Sequence, residues 1–385
     1  MEKRKIMSIF GTRPEAIKMA PLVQELARRE GLESLCCLTG QHRQMLDSVM
    51  DTFGLRGDFD LNIMQPQQTL SSITTRTLLG MEEIFEAVQP DLILVHGDTS
   101  TTFAGALAAF YHKIPVRHVE AGLRTYDKYS PFPEEMNRTL VGDIAALHFS
   151  PTAANAENLR REAVQGKIFI TGNTVIDAMA TTVRPDFRFR TEALNTLDFA
   201  HRRVIALTCH RRENYGKPMH DIFRAVREVV LTHPDVEVVY PVHLSPAVRA
   251  CAREELGGVE RVHLIEPLDV QEMHNLMARC CFVMTDSGGL QEEAPALGKP
   301  VLVLRRETER PEAVKAGTVR LAGVEHDEVL AQATALLEQP EVYATMAHAV
   351  NPYGDGQACR RIADAIEWHF GLRGQPPKDF TPEAL

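Results

Sequence analysis

The stretch CFVMTDSGGLQEEAP, from Cys281 to Pro295, sets the pattern on which the whole chain is built. Its apolar beginning, Cys281 to Met284, predicts a buried strand, and the residues after the Ser-Gly-Gly turn predict a short helix. Such a junction suits an anion, because the unpaired N–H groups and the dipole of a helix favour negative charge at its N-terminus. The stretch therefore predicts an α/β fold with an anion site at the glycine turn, although Glu292 and Glu293 follow within one turn.

The same alternation of apolar strand and helix recurs almost throughout the sequence. Strands are predicted at KIMSIFG (5–11), SLCCLTG (34–40), DLILVHGD (91–98), IPVRHVEAG (114–122), KIFITG (167–172), VIALTCH (204–210), VEVVYPVH (236–243), VHLIEPL (262–268), CFVMTDS (281–287), PVLVLR (300–305) and TVRLAG (318–323). Helices are predicted from Pro14, from about His42, at 99–112, from about Pro133, at 173–183, from Met219, from Ser245, from Asp269 and at 356–371. Continuous apolar strands separated by helices indicate parallel sheets covered on both faces.

The alternation stops after about Val183 and resumes at Val204, which divides the chain in two. A length of 385 residues also suits two domains, since one domain usually has roughly 100–200 residues. We therefore expect two doubly wound parallel-sheet domains that face a cleft, residues 1–180 and residues 181–356. The helix at about 357–371 could pack back on the N-terminal domain, and residues 372–385 form a tail.

The charge and the cysteines narrow the class of protein. The formal net charge of −10 argues against a nucleic-acid or membrane partner, so local basic groups must hold any anionic ligand. The seven cysteines lack CxxC spacing and mostly fall in apolar runs, which favours reduced core residues. The N-terminus does not resemble a signal peptide, and no apolar run reaches the roughly 20 residues of a membrane span. We expect a cytoplasmic protein.

Basic residues follow the first predicted strand, where ligands of open α/β sheets bind. In GTRPEAIK (11–18), Arg13 stands beside the exposed N–H groups of a helix that begins at Pro14. Arg13 and Lys18 would supply the positive charge that a diphosphate needs. An ordinary turn with a solvated arginine explains this segment alone about equally well.

Acidic residues follow two predicted strands and a proline-rich loop. Asp98 ends DLILVHGD, Glu120 ends IPVRHVE, and Glu134 and Glu135 follow SPFP (130–133). A helix cap is the simpler role for Asp98, but the neighbouring Thr99 can cap as well. Grouped carboxylates can raise one another's pKa, which suits proton transfer at neutral pH.

His210 ends another predicted strand and is followed by Arg211 and Arg212. A histidine beside two arginines favours contact with an anion or a leaving group. No HExxH pattern or His/Cys cluster indicates zinc, so we expect no metal.

The stretch from Cys281 to Pro295 contains groups that suit two parts of one ligand. Ser287, Gly288 and Gly289 would present the helix N-terminus to phosphate. Glu293 could accept both hydrogen bonds of a ribose cis-diol, whereas a charged helix face explains Glu292 better. Together they predict a site for a nucleoside diphosphate.

A set of motifs spread in order over nearly the whole chain points to a known family. The motifs are FGTRPEAIKMAPL, HGDTSTT, HVEAGLRT, SPFPEEMNR, ITGNTVIDA, CHRREN, PVH, TDSGGLQEEAPALGKPVLV, TERPEAV, AGTVRL and NPYGDGQA. The set resembles the bacterial non-hydrolysing UDP-N-acetylglucosamine 2-epimerases. The resemblance implies two Rossmann-like domains in the glycosyltransferase-B arrangement, a homodimer, and interconversion of UDP-GlcNAc and UDP-ManNAc without metal or NAD.

The resemblance also implies roles for individual residues. It implies catalytic work by Asp98, Glu120, Glu134 and His210. It implies contacts to UDP by Arg13, Lys18, Ser287, Gly288, Gly289, Glu293 and Arg310. A second, activating UDP-GlcNAc is implied at Gln41, Gln44, Glu135, Arg211 and His243, but Gln67 stands where some regulated members have arginine.

The expected reaction is epimerisation at C2 by elimination of UDP to 2-acetamidoglucal and re-addition, which would supply ManNAc units for bacterial surface polysaccharide. The sequence does not indicate which carboxylate is the base. The alternatives are a hydrolysing epimerase that releases ManNAc and UDP, a glycosyltransferase of the same fold, and a non-catalytic nucleotide-sugar sensor. The carboxylates argue against the sensor, because binding UDP alone would not require all of them.

Overall fold

The computed structural model describes residues 3–41 and 43–382, except for the side chains of Gln44 and Met45. Its backbone forms two units. The first unit contains the chain up to Thr181 together with Tyr353–Thr381, and the second contains Thr182–Pro352 and Pro382.

The first unit is built on seven parallel strands. They are β1 (Arg4–Phe10), β2 (Leu32–Leu38), β3 (Phe59–Asp60), β4 (Leu92–His96), β5 (Val116–Val119), β6 (Leu147–Ser150) and β7 (Lys167–Ile170). Their order in the sheet is β3-β2-β1-β4-β5-β6-β7. The helices are α1 (Arg13–Ala27), α2 (Arg43–Phe53), α3 (Leu70–Val88), α4 (Ser100–Tyr111), α5 (Glu134–Ile144), α6 (Ala153–Arg161) and α7 (Thr174–Thr182).

The second unit repeats this plan with six parallel strands. They are β8 (Arg203–Thr208), β9 (Val236–Pro241), β10 (Val262–Ile265), β11 (Phe282–Thr285), β12 (Val301–Val303) and β13 (Val319–Leu321), in the order β10-β9-β8-β11-β12-β13. The helices are α8 (Glu192–Asn195), α9 (Lys217–Thr232), α10 (Pro246–Leu256), α11 (Val270–Arg279), α12 (Leu290–Ala296), α13 (Pro311–Ala316), α14 (His326–Glu338) and α15 (Pro340–Ala347), with a 3₁₀ turn at Arg212–Asn214.

The strand order of each sheet determines where a ligand can bind. In the first unit the order reverses between the adjacent strands β1 and β4, and in the second between β8 and β11. Ligands of open α/β sheets bind beyond the carboxyl ends of the strands at such a reversal. The turns that leave these four strands contain the predicted residues Arg13, Asp98, His210 and Gly288.

The burial of the strands explains why their sequences are continuous apolar runs. Every residue of β4 is buried, and Ile93 and Val95 pack with Met7 and Ile9 of β1 against Phe85 of α3. A strand that is buried on both faces carries a continuous apolar run, which is the signal on which the prediction rested.

The predicted fold class, two Rossmann-like doubly wound parallel sheets, is confirmed. All eleven predicted strands are present, and the helix predicted near His42 is α2, although His42 itself lies outside the described residues. Sequence reasoning missed β3, β6 and several helices, among them α3 and α6. Strand β3 has two residues, which is too short for a clear periodic pattern. Strand β6, LHFS, alternates apolar and polar residues and so lacks a continuous apolar run.

The C-terminal helix α16 (Ala358–His369) belongs to the first unit. Arg29, which follows α1, donates to Asp364 and Glu367 of α16 at 2.9 and 3.0 Å. Further on, Phe380 N donates to Ile170 O at the end of β7, at 2.7 Å. None of the helices in the described residues is both long and apolar enough to span a bilayer.

Candidate active site

Asp98 follows β4 and forms an ion pair with a helix of the same unit. Thr99 caps α4 by accepting a hydrogen bond from Thr102 N at 3.1 Å, so the Asp98 carboxylate is not used as the cap. Arg138 Nη2 instead donates to Asp98 Oδ2 at 2.6 Å. Burial raises the pKa of Asp98, and the nearby charges of Glu120 and Glu134 raise this pKa further, while Arg138 lowers it.

Glu120 follows β5 and has several donors around its carboxylate. Lys18 Nζ pairs with Oε1, Asn173 Nδ2 donates to Oε1 at 2.9 Å, and His96 Nε2 lies 3.3 Å from Oε2. His96 is buried, and burial lowers its pKa. The backbone of Glu120 has a φ of 61°, a region that a residue with a side chain seldom adopts. The surrounding contacts therefore hold this carboxylate in place.

Glu134 is the first residue of α5, and Glu135 is the second, but they have different surroundings. Glu134 is partly buried and close enough to Asp98 to raise its pKa. Glu135 is 3 % exposed, accepts from Tyr126 N at 2.8 Å and from Thr125 N at 3.1 Å, and lies 3.2 Å from Arg138 Nη1. Arg138 thus bridges Asp98 and Glu135, and Glu135 fixes the loop that follows β5.

The turn after β1 is tied to the turn after β4 by Glu15, which sequence reasoning missed. Its Oε2 accepts from Gly11 N and Thr12 N at 3.0 and 2.8 Å, and its Oε1 accepts from Thr99 and Thr102 hydroxyls at 2.7 and 2.8 Å. The spacing from Thr12 to Glu15 is that of a capping box, a signal that could have identified it.

Arg13 is the first residue of α1, one residue before the predicted start at Pro14, and is partly buried. Gly11 is required here, because a Cβ would lie 1.6 Å from Thr39 Oγ1. Gln41 lies close by, since Thr101 Oγ1 donates to its Oε1 at 3.2 Å. The side chain of Gln44 is outside the described part, and Gln67 has a φ of 55° on the surface.

In the second unit, His210 follows β8 and lies beside a buried carboxylate. Asp286 Oδ2 accepts from His210 N and Arg211 N, each at 2.8 Å, and the His210 ring stacks on His243 with centroids 5.1 Å apart. Burial lowers the pKa of His210, and Asp286 opposes this by raising it. Sequence reasoning missed Asp286, although it follows the apolar strand β11.

The glycine turn lies next to two guanidinium groups. A Cβ on Gly288 would be 3.8 Å from Nη2 of both Arg211 and Arg310, so these positive charges border the turn formed by Ser287, Gly288 and Gly289. Arg310 Nε also pairs with Glu292, which is 3 % exposed. The prediction of a charged helix face for Glu292 is therefore wrong, because its carboxylate is buried against Arg310.

Glu293 stands one turn into α12 and is oriented by a buried histidine. His274 Nε2 lies 3.2 Å from Glu293 Oε2, and His274 Nδ1 lies 2.6 Å from Thr182 Oγ1. His274 is 1 % exposed. A carboxylate fixed in this way can accept hydrogen bonds from a diol.

The described residues contain one grouping that could hold a metal ion, His220 with Glu254 and Glu255. Glu255 already accepts hydrogen bonds from His220 Nδ1 at 2.7 Å and from Arg224 Nη2 at 3.0 Å. The Arg224 guanidinium therefore already supplies positive charge to this carboxylate. The cysteines are all free, and burial raises the pKa of the Cys37 thiol to about 12. This thiol is inert at neutral pH.

Comparison with known proteins identifies the family. The family model described as UDP-N-acetylglucosamine 2-epimerase matches residues 24–367. The UDP-N-acetylglucosamine 2-epimerase of Bacillus subtilis is 54% identical over 383 residues, which cover 99% of this chain and 100% of that protein. The protein of the same name from Escherichia coli K12 is 51% identical over 369 residues, 94% and 98% of the two chains.

A solved structure extends the match to three dimensions. The UDP-GlcNAc 2-epimerase from Neisseria meningitidis, bound to UDP-GlcNAc, superposes with a TM-score of 0.85 at 46% identity and covers 95% of this chain and 100% of its own. The resemblance of the sequence motifs to UDP-N-acetylglucosamine 2-epimerases is confirmed. The chain therefore belongs to the UDP-N-acetylglucosamine 2-epimerase family.

Proposed function

We propose that this protein interconverts UDP-GlcNAc and UDP-ManNAc by the non-hydrolysing route and so supplies ManNAc units for bacterial surface polysaccharide. The observation that carries the proposal is the cluster of Asp98, Glu120 and Glu134 in the first unit. Two of these carboxylates differ in their surroundings: burial raises the pKa of Asp98 although Arg138 pairs with it, whereas the ammonium of Lys18 pairs with Glu120. Contrasting pairs of this kind are typical of acid and base roles.

The chemistry proceeds in two stages. A base removes the proton from C2 while the C1–O bond breaks, so that a C1–C2 double bond forms and UDP leaves with the bonding pair. UDP then attacks C1 of 2-acetamidoglucal, and an acid delivers a proton to the opposite face of C2. No net oxidation occurs, so the route requires no redox cofactor.

The two protonation roles follow from the surroundings of the carboxylates. Glu120 is held by Lys18 and Asn173, and such contacts favour the charged form that a base needs. Asp98 is the better candidate to hold a proton, because burial raises its pKa. We therefore assign the base in the direction of ManNAc to Glu120 and the acid to Asp98, with Glu134 supporting proton transfer.

Groups of the second unit suit the uridine diphosphate. The Gly288–Gly289 turn, with Arg310 at its border, suits the diphosphate, and Glu293 suits the ribose diol. His210 would stabilise the charge that develops on departing UDP. These assignments support a nucleotide-sugar substrate of the kind bound in the Neisseria structure.

We also propose that the protein forms a homodimer through the first unit. Leu79 of α3, Phe110 of α4 and Leu140 of α5 are exposed large apolar side chains on helices that pack side by side. Large apolar side chains exposed on neighbouring helices can contribute to an interaction surface. Sedimentation of the wild type as a dimer and of Phe110→Glu as a monomer would support the assignment, and a wild-type monomer would contradict it.

The reaction in deuterated water tests the proposed route. Incubated with UDP-GlcNAc, the protein should form UDP-ManNAc with solvent deuterium at C2. Oxygen-18 placed in the C1–O–P bridge should move into non-bridging positions, because UDP leaves and returns, and little free UDP should accumulate.

Each other outcome identifies a different function. Product that keeps its original C2 proton would refute the elimination. Free ManNAc as the main product would indicate hydrolysis, and a requirement for an acceptor would indicate glycosyl transfer. Tight binding without turnover would indicate a sensor.

A further inference from the structure

Asp286 is a buried carboxylate at the centre of the second unit. It directly follows β11, and the adjacent strand β8 pairs Thr208 with Thr285. This register places Asp286 beside the turn that contains His210. Asp286 is 0 % exposed, so its negative charge is removed from water and must be balanced by nearby donors.

The two oxygens of Asp286 have different surroundings. Oδ2 accepts from His210 N and Arg211 N at 2.8 Å and from Asn214 Nδ2 at 3.1 Å. Oδ1 is buried and has no hydrogen-bond partner among the described residues. It lies 3.5 Å from His210 Nδ1. A buried acceptor without a partner is costly, and a shift of a few tenths of an ångström would close this contact to a normal hydrogen bond.

The ring of His210 is held so that its other nitrogen is left for a ligand. One face stacks on His243 at an interplanar angle of 12°, and Nδ1 is on the side of Asp286. The side chain is 39% exposed. Because Nδ1 and Nε2 lie on different edges of the ring, a hydrogen bond at Nδ1 leaves Nε2 available.

We propose that Asp286 is a positioning residue for His210: it accepts a hydrogen bond from Nδ1–H and holds the ring as an imidazolium that donates from Nε2 to the departing diphosphate. The proposal rests on the proposed function for the identity of the anion. The imidazolium keeps its proton throughout, so no bond is made or broken at the ring. A neutral ring with its proton on Nδ1 would offer only a lone pair at Nε2, which repels phosphate.

The charges around His210 show why the carboxylate is needed. Burial lowers the pKa of His210, and His243 and Arg211 lower it further. Asp286 is the neighbour that raises this pKa. Because burial still leaves the pKa of His210 below its usual value, the imidazolium requires both the charge of Asp286 and that of a bound diphosphate.

The test is Asp286→Asn, which keeps the shape and removes the charge. The three donors at Oδ2 retain an acceptor only if the amide oxygen takes that place, so the amide NH₂ then faces His210 Nδ1. The amide NH₂ would donate to Nδ1 and so select the neutral ring that carries its proton on Nε2. We expect kcat to fall roughly 100-fold, the scale of one preorganised donor to a developing negative charge, with KM within about threefold of wild type.

Two further measurements separate positioning from a merely structural role. Nitrogen-15 spectra of His210, recorded with UDP bound, should show both ring nitrogens protonated in the wild type and only Nε2 protonated in Asp286→Asn, with a lower pKa of His210 in the variant. In a His210→Gln background, Asp286→Asn should cause little further loss of kcat, because it acts through His210. The matched control is Asp269→Asn, which removes a carboxylate charge from the same unit at the cap of α11.

Additive losses in the double variant, or an unchanged protonation state of the His210 ring, would overturn the proposal. If Asp286→Asn does not fold, the wild-type spectrum still decides, since a ring without a proton on Nδ1 in the UDP-bound wild type contradicts the proposal. The spectra require no turnover. A change in the protonation of His210 in a protein that does not epimerise would therefore support the role of Asp286 while refuting the proposed function.

Discussion

Replacing Lys18 with methionine separates two roles for this residue. The family resemblance implies that Lys18 contacts UDP, whereas in the structure its ammonium pairs with Glu120. The side chains of Lys18 and Glu120 are 17% and 14% exposed, so water screens this pair only partly. Methionine keeps the length of the side chain and removes its charge.

The expected fall in kcat depends on the contacts that Glu120 keeps in Lys18→Met. Without Lys18, the hydrogen bond from Asn173 remains at 2.9 Å and His96 remains 3.3 Å away. A hydrogen bond to a charged group is worth about 1.5–3 kcal/mol. Since about 1.4 kcal/mol corresponds to a factor of ten, we expect kcat to fall roughly 10- to 100-fold. The Kd for UDP should stay within about threefold of wild type.

Steady-state kinetics and calorimetry with UDP measure the two quantities separately. Lys217→Met is the matched control, because Lys217 pairs with Asp221 on the surface with its side chain 78% exposed. Lys217→Met should change neither quantity. A tenfold weaker Kd for UDP in Lys18→Met, with kcat unchanged, would show that Lys18 serves the nucleotide and that the reasoning from its ion pair is wrong.

Three further outcomes are expected. Asp98→Asn and Glu134→Gln should each lower turnover roughly 100-fold or more without changing the Kd for UDP. Glu293→Ala should instead weaken UDP binding. Calorimetry that finds UDP affinity lost in all three variants would contradict this division of roles. Burial lowers the pKa of His118 to about 3, below the value of 6.5 expected when unfolded, so its contribution to stability is complete above pH 6.5 and falls as the pH drops. From pH 7 to pH 5, His118 should lower the free energy of unfolding by about 2 kcal/mol, as measured by urea unfolding. His118→Gln should lack this contribution. If the second UDP-GlcNAc site operates, added UDP-GlcNAc should accelerate the reaction from UDP-ManNAc, and progress curves without a lag or acceleration would rule it out.

Residues at strand ends could be predicted because their positions depend on local pattern. The apolar runs of β4, β5, β8 and β11 end immediately before the turns that contain Asp98, Glu120, His210 and the Gly288 turn. The carboxyl ends of parallel strands meet at one edge of a sheet, so a one-dimensional pattern was enough to bring together the residues of each unit. Short elements such as β3, with two residues, gave no such pattern.

The sequence by itself determined two α/β sheets, their strand ends and the kind of ligand suited to those ends. Only the tertiary structure decided which side chains pair: Lys18 with Glu120, 102 residues apart, and His210 N with Asp286, 76 residues apart. It also placed Glu292 in the interior against Arg310. Strand and helix depend on periodicity within a segment, whereas a hydrogen bond between distant residues depends on strand order, register and rotamer, which no short window of sequence contains.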